Sequence, residues 1–199
     1  MKETLKALAR GVALLLVLPH LVSFALQSLV LGRDRALEGS MQTLGLLPGV
    51  TGEYLRRAFL ARVLDRCADS AVIGYGTLIS QAGSRIDDHV YIGPRCHLGL
   101  VHLERDVLLA AGVHVPSGRH THGTESDAPI REQQGHRTMV RIGAGSWIGS
   151  NAVVMADIGH DSIVGAGAVV TKPLPPMVVA AGVPARVVRQ RDEMMAVRS

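Results

Sequence analysis

Aliphatic residues recur with a period of six along most of the 199-residue chain. From Ile73 onward a large aliphatic residue heads each hexapeptide, and glycine often follows it, as in Ile148-Gly149. The spacing departs from six by one residue between Ile79 and Ile86, by three between Leu98 and Val107, and by minus two between Val154 and Ile158. We interpret these departures as local bulges or corners. The predicted heads are Ile73, Ile79, Ile86, Ile92, Leu98, Val107, Val113, Ile142, Ile148, Val154, Ile158, Val164 and Val170.

A fixed period of this kind predicts a mainly β architecture, the parallel β-helix. Each hexapeptide is expected to form a short strand with its aliphatic side chain inward, followed by a corner where glycine avoids a steric cost. Three such sides close one coil, and stacked coils bury their aliphatic residues against one another. Small residues at the fifth position of the hexapeptide should fill the remaining interior: Cys96, Ala152, Ser162 and Ala168. Ordinary strands of period two are the alternative, and they do not explain the six-residue spacing.

The first 68 residues follow a different pattern and are predicted to form a separate, helical and apolar region. Gly11 to Gly32 contains no charged residue and has the roughly 20 apolar residues that a bilayer span requires. A signal peptide cleaved near Ser23 to Ala25 is disfavoured because the apolar run continues beyond that point. The segment therefore spans a membrane, lies at its interface or packs as a soluble helix. A turn and a helix are predicted within Leu46 to Cys67.

Composition narrows the class of protein. Hydrophobic residues make up 47% of the chain but aromatic residues only 3%, so the core must consist of Val, Ile, Leu and Ala. A net charge of +4, spread along the chain, gives no reason to expect a nucleic-acid partner. Cys67 and Cys96 have neither a metal-binding spacing nor a disulfide framework, which favours free thiols in a reducing compartment.

The repeat stops for one long segment, residues 116–139, which is predicted to be a loop extruded from the β-helix. It contains His120 and His122 near its start. A neutral imidazole titrates near physiological pH and can accept a proton as a general base. Glu125 and Asp127, later in the loop, could orient such an imidazole or contact the hydroxyls of an acceptor.

The segment from Ile142 to Arg191 contains WIG, VGAGAVVTK and AGVPAR in that order. In these motifs the chain resembles the left-handed β-helix, hexapeptide-repeat acyltransferases that use acetyl-CoA or another acyl-CoA. Within that family it is most similar to sugar and polysaccharide O-acetyltransferases, with serine and galactoside acetyltransferases as relatives. The resemblance implies a catalytic domain at 69–191, a tail at 192–199 and a homotrimer with active sites between adjacent β-helices.

The resemblance also implies roles for individual residues. The family's loop histidine, a general base, corresponds best to His120, with His122 as its rival because one residue is added after Gly118. The implied CoA-binding residues run from the pantetheine to the nucleotide phosphates: Trp147, Ser150, Ala166, Thr171, Lys172 and Arg186.

The implied reaction moves an acetyl or other short acyl group from acyl-CoA to a hydroxyl, less readily an amine, of a sugar, polysaccharide precursor or similar acceptor. Attack is direct, so neither a cysteine nucleophile nor a metal is expected. CoA supply favours a cytoplasmic location, and the apolar segment 11–32 could attach the protein to the inner face of the plasma membrane. Two alternatives stay open. One is a γ-carbonic-anhydrase-like metal site built from His97, His102, His114 and the loop histidines, and the other is a non-catalytic trimeric scaffold.

Overall fold

The computed structural model describes residues 2–123 and 126–191, without the side chains of residues 2, 3, 5 and 6. The predicted tail at 192–199 and the candidate Glu125 lie outside the described residues. Three helices come first: α1 (Lys2–Leu31), α2 (Arg33–Gly45) and α3 (Gly49–Val63). The strands that follow are β1 (Arg66–Cys67), β2 (Val72–Ile73), β3 (Leu78–Ile79), β4 (Arg85–Ile86), β5 (Tyr91–Ile92), β6 (His97–Leu98), β7 (Val101–Leu103), β8 (Leu108–Leu109), β9 (His114–Val115), β10 (Val140–Ile142), β11 (Trp147–Ile148), β12 (Val153–Val154), β13 (Ile163–Val164), β14 (Val169–Val170), β15 (Val178–Ala181) and β16 (Arg186–Gln190).

The strands form three parallel sheets that wind into a β-helix of about six turns, as predicted. We call the sheet β1-β4-β7-β10 sheet A, the sheet that runs from β2 to β16 sheet B, and the sheet β3-β6-β9-β12-β14 sheet C. Each turn passes through A, B and C in that order. Bridges from Ile142 to Ile158 and from Ile158 to Leu174 continue sheet A through the last turns.

The second residue of each two-residue strand points inward, and these side chains form continuous buried columns. Ile73, Ile92, Leu109 and Ile148 stack along sheet B and are all 0% exposed. The fifth-position residues Cys96, Ala152, Ser162 and Ala168 are also buried, which confirms their predicted place in the interior.

Two predicted heads, Val107 and Val113, were assigned to the wrong position of the repeat. The heads in that turn are Leu103, Leu109 and Val115, which pair with Ile86, Ile92 and Leu98 of the turn before. Val107 and Val113 are buried fifth-position residues. The error arose because both positions point inward and accept Val, and because the step from Leu98 to Leu103 is five residues rather than six.

The corners use glycine for two separate reasons. A Cβ on Gly149, directly after the strand, would lie 2.5 Å from the backbone nitrogen of Ala166 in the next turn, so close approach of the coils requires glycine there. Two residues further along, at the corners between sheets A and B and between sheets B and C, the backbone is left-handed, as at Gly167 with φ 66°. Asn151 takes the same conformation one turn earlier, with φ 57°, because asparagine tolerates it better than most residues.

Pro173, Pro175 and Pro176 are expected to end the last coil, but the β-helix continues through them. Leu174 accepts a hydrogen bond from Gly159 and donates one to Asp157, both at 2.9 Å. Strand β15 then adds to sheet B, and the chain reverses into the antiparallel strand β16. Proline is tolerated here because it stands at a corner on the last turn, where no further coil needs its N–H.

The three helices pack at the first turn of the β-helix and cover the end of its core. The sequence analysis assigns no element to α2, which buries Leu37, Met41 and Leu44. Arg56 of α3 is 0% exposed, and burial lowers its pKa. Its guanidinium donates to the carbonyls of Ile73 at 2.9 Å, Leu47 at 2.6 Å and Leu44 at 3.2 Å. Arg56 therefore joins α3 to the end of α2 and to strand β2.

The inward column yields a stability prediction. Ile92→Ala should lower the free energy of unfolding by about 2–5 kcal/mol, because it leaves a cavity in a column that cannot collapse without moving the coils. The matched control is Tyr91→Ala on the outward side of the same strand, where the side chain is 43% exposed. Chemical unfolding monitored by circular dichroism measures both. Equal losses for the two variants would contradict the assignment of inward and outward positions.

Candidate functional site

The long loop lies where it is predicted, between the end of β9 at Val115 and the start of β10 at Val140. It leaves the β-helix at the corner between sheets C and A. Its two ends are held together because the N–H of Thr138 donates to the carbonyl of Ser117 at 2.9 Å. The buried Ser117 hydroxyl also accepts a hydrogen bond from the N–H of Leu100 at 2.9 Å. The loop is thus anchored firmly at its base.

Within the loop, a cavity of about 520 Å³ is lined by both candidate histidines, His120 and His122. His136 lines it as well, and its N–H donates to the carbonyl of His120 at 2.6 Å. Spacing along the chain does not predict His136, because it comes 16 residues after His120 and only chain reversal brings the two together. The structure therefore gathers three imidazoles around one space.

The far end of the loop is organised by Gln133. Its side-chain amide donates to the carbonyls of Ser126 at 2.8 Å and Ala128 at 2.7 Å, and a short 3₁₀ helix, Ile130–Glu132, precedes it. Among the described residues of the loop, Glu132 is the carboxylate that lines the cavity, whereas the candidate Asp127 is exposed and does not line it. These contacts close the loop into a compact pocket of its own.

The six predicted CoA-binding residues lie in two groups on the last turns of the β-helix. Trp147 is 49% exposed on the outer face of sheet B, and Ser150 and Ala166 stand in adjacent turns at the corner between sheets B and C. The N–H of Gly167 donates to the carbonyl of Ser150 at 2.8 Å. Arg186 is exposed and begins β16, paired with Ala181 of sheet B.

Thr171 and Lys172 form the second group, at the corner between sheets C and A. Lys172 comes six positions after Ala166, on the other side of sheet C. The chain therefore allows at most about 20 Å between their Cα atoms. The long loop leaves from this same corner two turns earlier. Within one chain, the loop and Lys172 thus lie along one edge of sheet C. Trp147, Ser150 and Ala166 lie at or beyond the other edge.

Neither cysteine has the properties of a nucleophile. Burial raises the pKa of Cys67 to about 12, and burial also raises the pKa of Cys96. Cys96 is 1% exposed, and its Sγ donates to the carbonyl of Ala110 at 3.2 Å inside the β-helix. Both thiols fill space.

The histidines that could form a metal site lie on different faces. His97 and His114 stack on the outer face of sheet C, with ring centroids 5.1 Å apart. Burial, together with the neighbouring His97, lowers the pKa of His114. His102 lies on sheet A, where its Nε2 is 2.9 Å from a carboxylate oxygen of Asp87. Among residues 2–123 and 126–191, no group of three or more His, Cys, Asp or Glu side chains could hold a metal ion.

Comparison with known proteins bears on this geometry. Residues 139–172 match the family model described as the hexapeptide repeat of succinyl-transferase. Galactoside O-acetyltransferase of Escherichia coli is 53% identical over 56 residues, which are 27% of this chain and 28% of that protein. A putative acetyltransferase of Staphylococcus aureus is 44% identical over 55 residues, again 27% and 28% of the two chains.

Solved structures share the fold over a greater length. A galactoside acetyltransferase in complex with coenzyme A has a TM-score of 0.61 at 23% identity, covering 82% of each chain. A maltose O-acetyltransferase from Clostridium difficile has a TM-score of 0.63 at 19% identity, covering 79% of this chain and 87% of that one. The chain is therefore similar in fold to these acetyltransferases, and in sequence to the hexapeptide repeat over residues 139–172. Its sequence matches to the curated relatives span little more than a quarter of their length.

The buried thiols of this hexapeptide-repeat protein give a prediction for chemical modification. Iodoacetamide at pH 8 should leave both cysteines unmodified in the folded protein. Cys67, with a pKa of about 12, is only about 0.01% thiolate at that pH. Cys96 is 1% exposed inside the β-helix, and burial raises its pKa. Both should react fully once the protein is unfolded in urea. Intact-protein mass spectrometry measures the modification. Rapid alkylation of either thiol in the folded protein would show an accessible, reactive cysteine.

Proposed function

We propose that this protein transfers an acetyl or other short acyl group from acyl-CoA to a hydroxyl of a saccharide or similar acceptor. The observation that carries the proposal is the histidine-lined cavity, held in a loop that leaves the same corner of the β-helix as Thr171 and Lys172. The relatedness to acetyltransferases named for galactoside and maltose supports both the donor and the class of acceptor.

The chemistry needs a base, because a hydroxyl is a poor nucleophile at neutral pH. The imidazole of His120, with His122 as the rival, takes the hydroxyl proton as the oxygen attacks the thioester carbonyl. The tetrahedral intermediate then collapses, the carbon–sulfur bond breaks, and the thiolate takes the proton from the imidazolium. Backbone N–H groups at the coil corners are suitable donors to the oxyanion. No covalent enzyme intermediate forms, in agreement with the inert state of Cys67 and Cys96.

The separation of the two groups of CoA-binding residues supports an oligomer, proposed to be a homotrimer. A CoA molecule lying between two copies would contact Trp147, Ser150 and Ala166 of one copy and Thr171 and Lys172 of the next. Trp147 also continues an exposed apolar row on sheet B with Tyr91 and Leu108, a surface suited to contact with pantetheine or with a second copy. CoA supply places this assembly in the cytoplasm.

The role of His120 predicts a loss of turnover without a loss of CoA binding. His120→Ala should lower kcat by about 10²- to 10⁴-fold, which is the usual contribution of a positioned general base. The affinity for CoA, measured by isothermal titration calorimetry, should stay within about twofold, because the variant leaves the β-helix unchanged.

His122→Ala and His136→Ala are the matched controls, since these side chains line the same cavity. Each should reduce kcat by less than His120→Ala does. A full loss with His122→Ala and near-normal turnover with His120→Ala would transfer the role of base to His122. Normal turnover in all three variants would exclude the cavity from the reaction.

The two cations near the phosphates predict effects on donor binding. Lys172→Ala and Arg186→Ala should each raise KM for acetyl-CoA by about 10- to 100-fold, because a charge-assisted hydrogen bond contributes about 1.5–3 kcal/mol. Their kcat values should remain close to that of the unaltered protein. If Arg186 contacts the 3'-phosphate, its variant should bind acetyl-dephospho-CoA as well as the unaltered protein does. Unchanged KM in both variants would contradict the assigned CoA path.

The acceptor atom can be identified from the product. An O-acetyl ester releases its acetyl group to alkaline hydroxylamine as acetohydroxamate, whereas an N-acetyl amide does not. We expect acetylated saccharide formed by this protein to lose its label on hydroxylamine treatment. A hydroxylamine-resistant product would show transfer to an amine and would revise the acceptor class while leaving the donor unchanged.

A further inference from the structure

Helix α1 has one face that belongs to the protein core. Ala13 and Val17 are 4% and 1% exposed, and Leu14, Leu21 and Phe24 pack beside them against α2 and α3. The rings of Phe24 and Phe59 meet edge to face, with centroids 5.8 Å apart. The helix is therefore fixed along the side of the helical cap and does not project away from it.

The opposite face of α1 is also apolar, and it is exposed from Leu8 to Val30. By length and composition this helix could cross a membrane. Only 11% of its most apolar 18-residue stretch is buried inside the protein. A helix that is apolar on all sides normally has a partner on all sides. The exposed residues form a row about 33 Å long at 1.5 Å per residue: Leu8, Val12, Leu15, Val22, Leu26, Leu29 and Val30, between 48% and 84% exposed.

The row widens at its N-terminal half into an apolar groove between α1 and α3. The groove encloses about 480 Å³ and is lined by Leu8, Val12 and Leu16 of α1 and by Val50, Tyr54 and Leu55 of α3. Val50 is itself 66% exposed. The row and the groove together, which we call the outer cap surface, form one continuous apolar face.

Charge is absent from the outer cap surface of α1 and collects around it. No Lys, Arg, Asp or Glu occurs from Gly11 to Gly32, while Arg10 precedes this stretch and Arg33 and Arg35 follow it. Residues 1–65 carry eight Lys and Arg against five Asp and Glu. An uncharged apolar strip with cations at its ends is the distribution that an anionic lipid interface attracts.

We infer that the outer cap surface rests in the interfacial region of an anionic phospholipid membrane, with α1 parallel to the membrane plane. A spanning orientation would pull Ala13, Val17 and Phe24 away from the core. If the core packing were kept instead, a spanning α1 would carry α2 and α3 into the bilayer together with the charged Asp34, Glu38 and Glu53, which is energetically costly. Parallel seating buries the exposed row and leaves the core packing intact.

Lipid fits the outer cap surface better than a second copy of the chain does. Helices that pair in water place charged residues beside a narrow apolar seam to set register and partner. Here residues 11–31 of α1 carry no charge on either side of the row. The inference does not rest on the proposed acetyl transfer, but it would bring the β-helix to acceptors that are themselves bound to lipid.

Flotation of the full-length protein with preformed vesicles tests the inference. Vesicles of phosphatidylglycerol and phosphatidylcholine should carry the protein upward in a density gradient, and vesicles of phosphatidylcholine alone should carry less. Leu15→Glu/Val22→Glu should reduce the floated fraction by about tenfold or more, because it places two charges in the row of α1 that contacts lipid. The matched control is Gln42→Glu/Thr43→Glu on exposed positions of α2, which should float like the unaltered protein.

Circular dichroism and the midpoint of thermal unfolding check that both double variants are folded, which we expect because the four substituted positions are exposed. Failure of the unaltered protein to float would overturn the inference. Light scattering measures the size of the assembly. If the unaltered protein does not bind vesicles and Leu15→Glu/Val22→Glu alone forms a smaller assembly, the outer cap surface is an interface between copies and the inference is overturned. Alkaline carbonate should release the bound protein, and its retention would indicate a spanning helix.

Discussion

The close stacking of successive coils is the constraint on which the rest of this structure depends. Each turn must approach the next closely enough for backbone hydrogen bonds, such as the 2.8 Å bond from the N–H of Gly149 to the carbonyl of Val164. This approach leaves room inside for one large and one small side chain per strand and corner, and at Gly149 it leaves no room for a Cβ. Because each coil depends on its neighbours, irregular segments can enter only at corners, where they do not separate the coils. The long loop between Val115 and Val140 is such an insertion.

The parts of the fold that repeat could be predicted from the sequence, because a six-residue period encodes both strand and corner. The six-residue period alone predicts the inward heads from Ile73 to Leu98 and from Ile142 to Val170, and it correctly assigns Cys96 to the core. Within one turn the period could not separate the two inward positions, so Val107 and Val113 were given the wrong register. The prolines after Val170 were expected to end a coil that in fact continues, since a corner tolerates them.

The parts that do not repeat were harder to predict, since their structure depends on contacts between distant residues. Helix α2 has no long apolar run, and it is held by burial against α1, α3 and the first turn. His136 joins the loop cavity through a hydrogen bond to the carbonyl of His120, a contact that spacing along the chain does not reveal. The roles of His120 and His122 stay a prediction, because both imidazoles line the same space.

The candidate functional residues lie at the corners of the β-helix or beside them. The corner between sheets C and A carries both the histidine-lined loop and Lys172, while the corner between sheets B and C carries Ser150 and Ala166. At the other end, the helical cap closes the core and presents an apolar surface without charge. We propose that such a protein binds a CoA donor between copies while its helical cap lies against a membrane.

The proposed transfer of an acetyl group from acetyl-CoA to a saccharide can be tested with isotopically labelled acetyl-CoA. The protein would be incubated with labelled acetyl-CoA and a panel of sugars, lipid-linked glycans and amino acids, and both free CoA thiol and labelled product would be measured. The account predicts thiol release that depends on a saccharide acceptor, with one labelled acetyl group on the product for each thiol released. Failure to bind CoA at millimolar concentration, with no acceptor-dependent thiol release, would contradict it and would favour a non-catalytic β-helix.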